Sequence, residues 1–155
     1  MRIIIIITLL VVNSCWVFGQ ETPNFQYELK RDSFNTEYIA VNAKIINNSD
    51  SSIFFLSTSC GGLEEYIETN IKKVGVLTLR YCNISYPRKI EIKPNSEYTF
   101  STLILDQKKS EKLKLSLTFI QLSSTTKIEE KSIGQLEIEN QDTTIKLKGK
   151  LVKVK

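Results

Sequence analysis

The chain of 155 residues has no histidine. That absence excludes triads with an imidazole base, histidine-ligated zinc or haem sites, and any histidine-based pH switch. Glycine, with 6 residues, and proline, with 3, are too scarce for collagen-like or low-complexity sequence. The longest apolar run, Ile3 to Val12, is interrupted by Thr8 and is too short to span a bilayer. There is no Cys-x-x-Cys pattern, no glycine-rich phosphate loop and no Asp-x-Asp-x-Asp-Gly calcium loop. What remains is ordinary in bulk: hydrophobic residues are 41% and charged residues 25%, the balance of one soluble globular domain.

The first residues read as an export signal. Met1-Arg2 gives a positive start, Ile3 to Val12 has the length of a signal-peptide core, and Val17-Phe18-Gly19 fits a small-x-small cleavage site. Residues 1–19 are then a signal peptide and 20–155 a single mature domain, periplasmic or extracellular. A rival reading starts from Val12-Asn13-Ser14-Cys15, which resembles a degenerate bacterial lipobox. Lipidation of Cys15 would make the protein lipid-anchored in the envelope. A third reading is an uncleaved anchor. Membrane attachment is expected only through this segment. Cleavage removes Arg2, so the formal net charge of +4 becomes +3. The basic residues are spread among acids, and no dense basic block interleaves with aromatics. Nucleic acid is therefore not an expected partner.

Two cysteines stay in the mature chain, Cys60 and Cys82. Outside the cytosol, an even count most simply forms one disulfide. It would close a loop of 22 residues, a constraint of about 3 kcal/mol in the chain-entropy picture. Two buried thiols or a redox pair are the alternatives.

The rest of the chain alternates with period two. Phe25, Tyr27 and Leu29 mark a first strand, and Ile39, Val41, Ala43 and Ile45 a second. Asn47 to Ser51 is a turn, and Ile53-Phe54-Phe55-Leu56 reads as a central strand, so 37–47 and 52–57 are expected to form a hairpin. Ser59-Cys60-Gly61-Gly62 is a bend of the kind glycine tolerates. Leu63 to Asn70 is irregular or a single helical turn, and Val74 to Tyr81 a strand. Ile90 and Ile92, then Tyr98 to Leu105, flank a Lys93-Pro94-Asn95-Ser96 turn. Leu113, Leu115, Leu117 and Phe119 alternate with Lys112, Lys114, Ser116 and Thr118, the clearest half-buried strand. Ser123 to Lys131 is a polar loop. Ile133–Glu139 and Thr143–Lys155 are the last two strands, with Gly149 suggesting a bulge. About eight strands and no long helical period predict an all-β fold, an antiparallel sandwich.

Candidate chemistry is sparse. Ser57, Ser59 and Ser85 lack a base and read as loop caps. Glu64-Glu65 and Glu129-Glu130 read as solvated, and Asn47, Asn48 and Asp50 as turn residues rather than calcium ligands. No metal, cofactor or catalytic residue is expected. Lys146, Lys148, Lys150, Lys153 and Lys155 are either an anion-facing patch or the solvent face of an edge strand, where lysines block edge-to-edge association. Tyr66, Tyr81, Tyr86 and Tyr98, near the cysteines, are candidate recognition residues or core packing.

Several of these features appear together: the strand, Asn-Asn-Ser-Asp turn and strand of 39–57, Ser59-Cys60, Tyr81-Cys82-Asn83, and Ile90-Glu91-Ile92-Lys93-Pro94-Asn95-Ser96. In this the chain resembles small exported bacterial proteins of unknown function with an immunoglobulin-like β-sandwich. The resemblance implies the sandwich and brings no catalytic residue. The expectation is a non-enzymatic binding module of the cell envelope, with an unidentified protein or glycan partner. The alternative is an inhibitor presenting a stapled loop to an exported protease. A carboxylate- or thiol-based enzyme is the third reading.

Overall fold

The computed structural model describes residues 22–72, 74–77 and 84–155. The leader, Gly19, Cys15, Tyr81 and Cys82 lie outside the described residues. In chain order the strands are β1 (Asn24–Arg31), β2 (Tyr38–Asn47), β3 (Ile53–Thr58), β4 (Ile67–Thr69), β5 (Gly75–Val76), β6 (Pro87–Ile92), β7 (Ser96–Leu105), β8 (Lys112–Leu113), β9 (Leu115–Leu122), β10 (Thr144–Lys148) and β11 (Val152–Lys153). A 3-10 turn, Leu63–Tyr66, precedes β4, and one helix, α1 (Ile133–Glu139), precedes β10.

Two antiparallel sheets face each other. One runs β1-β2-β7-β5; the other runs β10-β9-β3-β6, with β4 also paired to β9. Each contributes one face of its alternating side chains to a shared core. Leu29, Ile39, Val41 and Ile45 from the first sheet meet Phe55, Ile92, Leu115, Leu117 and Phe119 from the second. Phe55 sits at the centre, its ring centroid 5.6 Å from both Phe119 and Tyr98. The protein is an all-β antiparallel sandwich.

The expected hairpin of 37–47 with 52–57 does not form. β2 pairs with β1 and β7, whereas β3 pairs with β6 and β9, so the Asn47–Ser52 connection crosses between sheets. The Lys93–Asn95 turn likewise carries β6 of one sheet into β7 of the other. Asn47 holds both crossings and is fully buried. Its Nδ2 donates to the carbonyls of Ser51 at 2.8 Å, Ile92 at 3.0 Å and Lys93 at 3.1 Å. Its Oδ1 accepts from the Ser49 N–H and hydroxyl. A turn sequence of Asn and Ser satisfies backbone locally and specifies a reversal, but not which sheet the next strand joins.

Ile133–Glu139 is helical, not a strand. Ser132 and Gln135 form a reciprocal capping box at its start. Leu136 is buried with Leu56 and Leu122 in a second, smaller cluster, so α1 covers the outer face of the β3–β9 sheet. This explains why β3 is apolar on both faces. Ile138, which completed the apparent alternation with Leu136, is 72% exposed.

The expected strand at Thr143–Lys155 divides into β10 and β11 around a bulge. Four steps from Lys148 to Val152 span only three on the partner, from Ser116 to Leu113. The phase therefore shifts by one residue, and Val152 and Val154 pack on the core while Lys153 and Lys155 point outward. Gly149 is needed because Tyr27 lies against it: a Cβ there would stand 2.2 Å from Tyr27 Cε1. The Tyr27 hydroxyl donates to the Lys150 carbonyl and accepts from the Leu115 N–H at 2.7 Å.

Of the expected strand at Val74–Tyr81, the described part is β5 alone, which pairs with Leu105 and Ile104 of β7. The single helical turn expected within Leu63 to Asn70 is the 3-10 turn, followed at once by β4. Among the described residues no helix is long and apolar enough to cross a membrane.

Candidate functional site

The segment after β3 is shaped by its small residues. The Gly61 N–H donates to Thr58 Oγ1 at 2.8 Å, and Leu63, fully buried, pins the 3-10 turn to the core. Neither Gly61 nor Gly62 has a positive φ. The glycines instead leave room for carboxylates. A Cβ on Gly61 would lie 2.0 Å from the Glu65 Cδ, and one on Gly62 would lie 2.2 Å from Glu64 Oε2.

This loop clasps the segment leading into β6. The Ser59 N–H donates to the Tyr86 carbonyl at 2.8 Å, and the Tyr86 N–H returns a bond to Ser59 Oγ at 2.9 Å. Cys60 Sγ lies 3.0 Å from the Ile84 carbonyl oxygen. The clasp leaves two large apolar side chains in solvent, Ile84 at 64% and Tyr86 at 62% exposure.

Beside it is a cleft of ≈ 300 Å³. Cys60, Gly61, Glu64 and Glu65 form one wall, and Ala40, Asn42, Ser101 and Leu103 of β2 and β7 the other. Ser101 Oγ donates to Asn42 Oδ1 at 2.8 Å, so that wall is pre-ordered. Two carboxylates and a hydroxyl–amide pair make an acceptor-rich lining suited to an ammonium or guanidinium group.

The four tyrosines do not share one surface. Tyr66 and Tyr98 pack against the main core. Burial raises the Tyr66 phenol above 10.0, with Glu137 and Glu65 adding to it. Burial also raises Tyr98, where Glu64 pushes the same way and Arg88 opposes. Of the three described, Tyr86 alone stands exposed, beside Cys60; Tyr81 lies outside the described residues.

One buried acid escaped the sequence reading. Asp106 is fully buried and pairs with Arg31 at 3.1 Å. It also accepts from the Ser110 N–H at 2.7 Å and hydroxyl at 3.1 Å. Burial alone would raise this carboxyl, but the Arg31 guanidinium and the two Ser110 bonds outweigh it and hold the group below 3.8. Arg31 donates further to the carbonyls of Thr36 and Ser110. The pair thus ties the end of β1 to two turns. Its lowered carboxyl and complete set of partners suit a structural tie, not proton transfer.

Among the described residues, no group of three or more His, Cys, Asp or Glu is placed to hold a metal ion. No protein-family model matches the chain, and no curated protein is significantly similar to it.

Proposed function

We propose that this chain is an exported, non-catalytic binding module of the bacterial cell envelope that meets a partner protein through the Cys60 loop. The observation that carries the reading is the clasp of Ser59 on Tyr86, which fixes the backbone beneath two exposed apolar side chains. A rigid scaffold that holds an aromatic and an aliphatic anchor in solvent loses little entropy on binding. The neighbouring acidic cleft gives the partner's basic side chains a place to pair. Kinship with immunoglobulin-like domains and removal of residues 1–19 belong to the same proposal.

A disulfide between Cys60 and Cys82 is the natural staple for this loop. Cys82 is the one other cysteine in 20–155, so it is the partner a staple on Cys60 would take. An inhibitor of an exported protease would use the same presented segment. It would form a tight complex with a protease and would lose inhibitory potency on reduction.

The test is a photo-reactive residue at Tyr86 in intact producing cells. The expected result is a discrete adduct that disappears when Ile84→Asp is added to the same chain. No adduct, or an adduct indifferent to Ile84→Asp, would overturn the assignment of this surface.

A further inference from the structure

The bulge between β10 and β11 turns the lysines of both strands to one outer face. Lys146 and Lys148 stand in register with Thr118 and Ser116, outside the core. Past the bulge, Lys153 and Lys155 return to that same face, where Lys112 and Lys114 continue the row. All six are exposed.

Two features of this face run against stability of the isolated domain. Lys153 is the direct cross-strand partner of Lys112. Like charges in that position repel and destabilise the ladder. The acid in register with the face, Glu68, is already taken by Lys146 at 2.5 Å. Among the described residues Lys112, Lys114, Lys148, Lys153 and Lys155 have no ion-pair partner. At the bulge itself Leu151 is 57% exposed. Tyr27 ties the bulge to the neighbouring strand, its hydroxyl bonding the Lys150 carbonyl between β10 and β11 and the Leu115 N–H of β9.

The chain enters the described structure at the same place. Thr22 and Pro23 share a cleft with Lys146 and Lys148.

We propose that this lysine ribbon docks on an anionic phospholipid surface. A broad row of ammonium groups matches a plane of phosphate head groups. Leu151 supplies an apolar tip that enters the interface, as on other peripheral membrane surfaces. A protein partner at Ile84 and Tyr86 would be met by a different surface, so the two proposals fail independently.

The test is partitioning of the chain, as its producing cells process it, onto two kinds of vesicle. One is phosphatidylcholine alone, and the other contains a third phosphatidylglycerol. The ratio between them is the readout, so any retained apolar segment contributes equally to both. The expected ratio strongly favours the anionic vesicles at low salt and collapses at high salt. Lys112→Gln/Lys148→Gln/Lys153→Gln, all on exposed positions, should lower it on the order of fivefold per lysine, about a hundredfold together. A ratio near one, a ratio insensitive to salt, or a folded triple variant that partitions like the wild type would overturn the proposal. Binding to immobilised polyglucuronate with none to the anionic vesicles at the same ionic strength would also overturn it, in favour of an acidic polysaccharide.

Discussion

Asp106 and Asn47 show how single buried polar groups hold this sandwich. Asp106→Asn keeps the shape but leaves Arg31 without its counter-charge, while that guanidinium is still 19% exposed. We expect a loss of about 3 kcal/mol, at the low end for a broken buried pair because Arg31 keeps some water; urea unfolding at neutral pH measures it. The pH dependence has a definite sign. The Asp106 carboxyl is held below its ordinary 3.8, so its contribution is complete above that value and is lost as pH falls through the lower, folded-state value. The gap in urea midpoint between wild type and Asp106→Asn should therefore be constant from neutral pH down to pH 5 and narrow below pH 4. A gap that widens on acidification would contradict the ion pair. Asn47→Ala strands the carbonyls at both sheet crossings and should cost about 1–3 kcal/mol. Neither role was visible along the chain. Arg31 and Asp106 are 75 residues apart, and Asn47 reads locally as one more turn residue.

At the scale of elements, what the sequence made plain was period, and what it hid was partnership. Leu113 to Phe119 alternate because one face of β8 and β9 is buried and the other wet. The break in alternation at Gly149 was likewise legible, and the register of β10 and β11 shows the bulge it suggests. The crossings after β2 and β6 were not legible, because Asn-Ser and Pro-Asn turns look alike whether the flanking strands pair or part. The sequence of α1 resembles a strand because Leu136 and Ile138 alternate, although Ser132 and Gln135 spell a helix start. Ser132→Ala should cost about 1 kcal/mol, and Leu136→Ala about 2–5 kcal/mol through the cavity left against Leu56 and Leu122. Thermal melts that rank the two the other way would mean the helix is held by its cap instead of its packing. Gly149→Ala should cost about 1–3 kcal/mol by forcing Tyr27 aside. Its effect and that of Tyr27→Ala should be less than additive, since the second change removes the clash.

For the whole molecule, the two sheets, the clasped loop at Cys60 and the lysine ribbon form one arrangement: a rigid core with two presented surfaces. The candidate surface at Ile84 and Tyr86 was partly legible, since the sequence put Tyr86 near the cysteines. It also grouped Tyr66 and Tyr98 there, and those belong to the core. Aromatic residues near a loop cannot be sorted into anchors and packing until the sheet faces are known. If Cys60 and Cys82 staple that loop, Cys60→Ser should lower stability under oxidising conditions by about 3 kcal/mol, with no difference once both chains are reduced. An unchanged melting temperature would remove the staple. The measurement that bears most directly on an exported, stapled binding module is the intact mass of the chain purified from its cells without reductant, repeated after reduction. The account predicts a chain that has lost the apolar segment Ile3 to Val12 and whose mass rises by two hydrogens on reduction. A chain beginning at Met1, with a mass that reduction leaves unchanged, would contradict it.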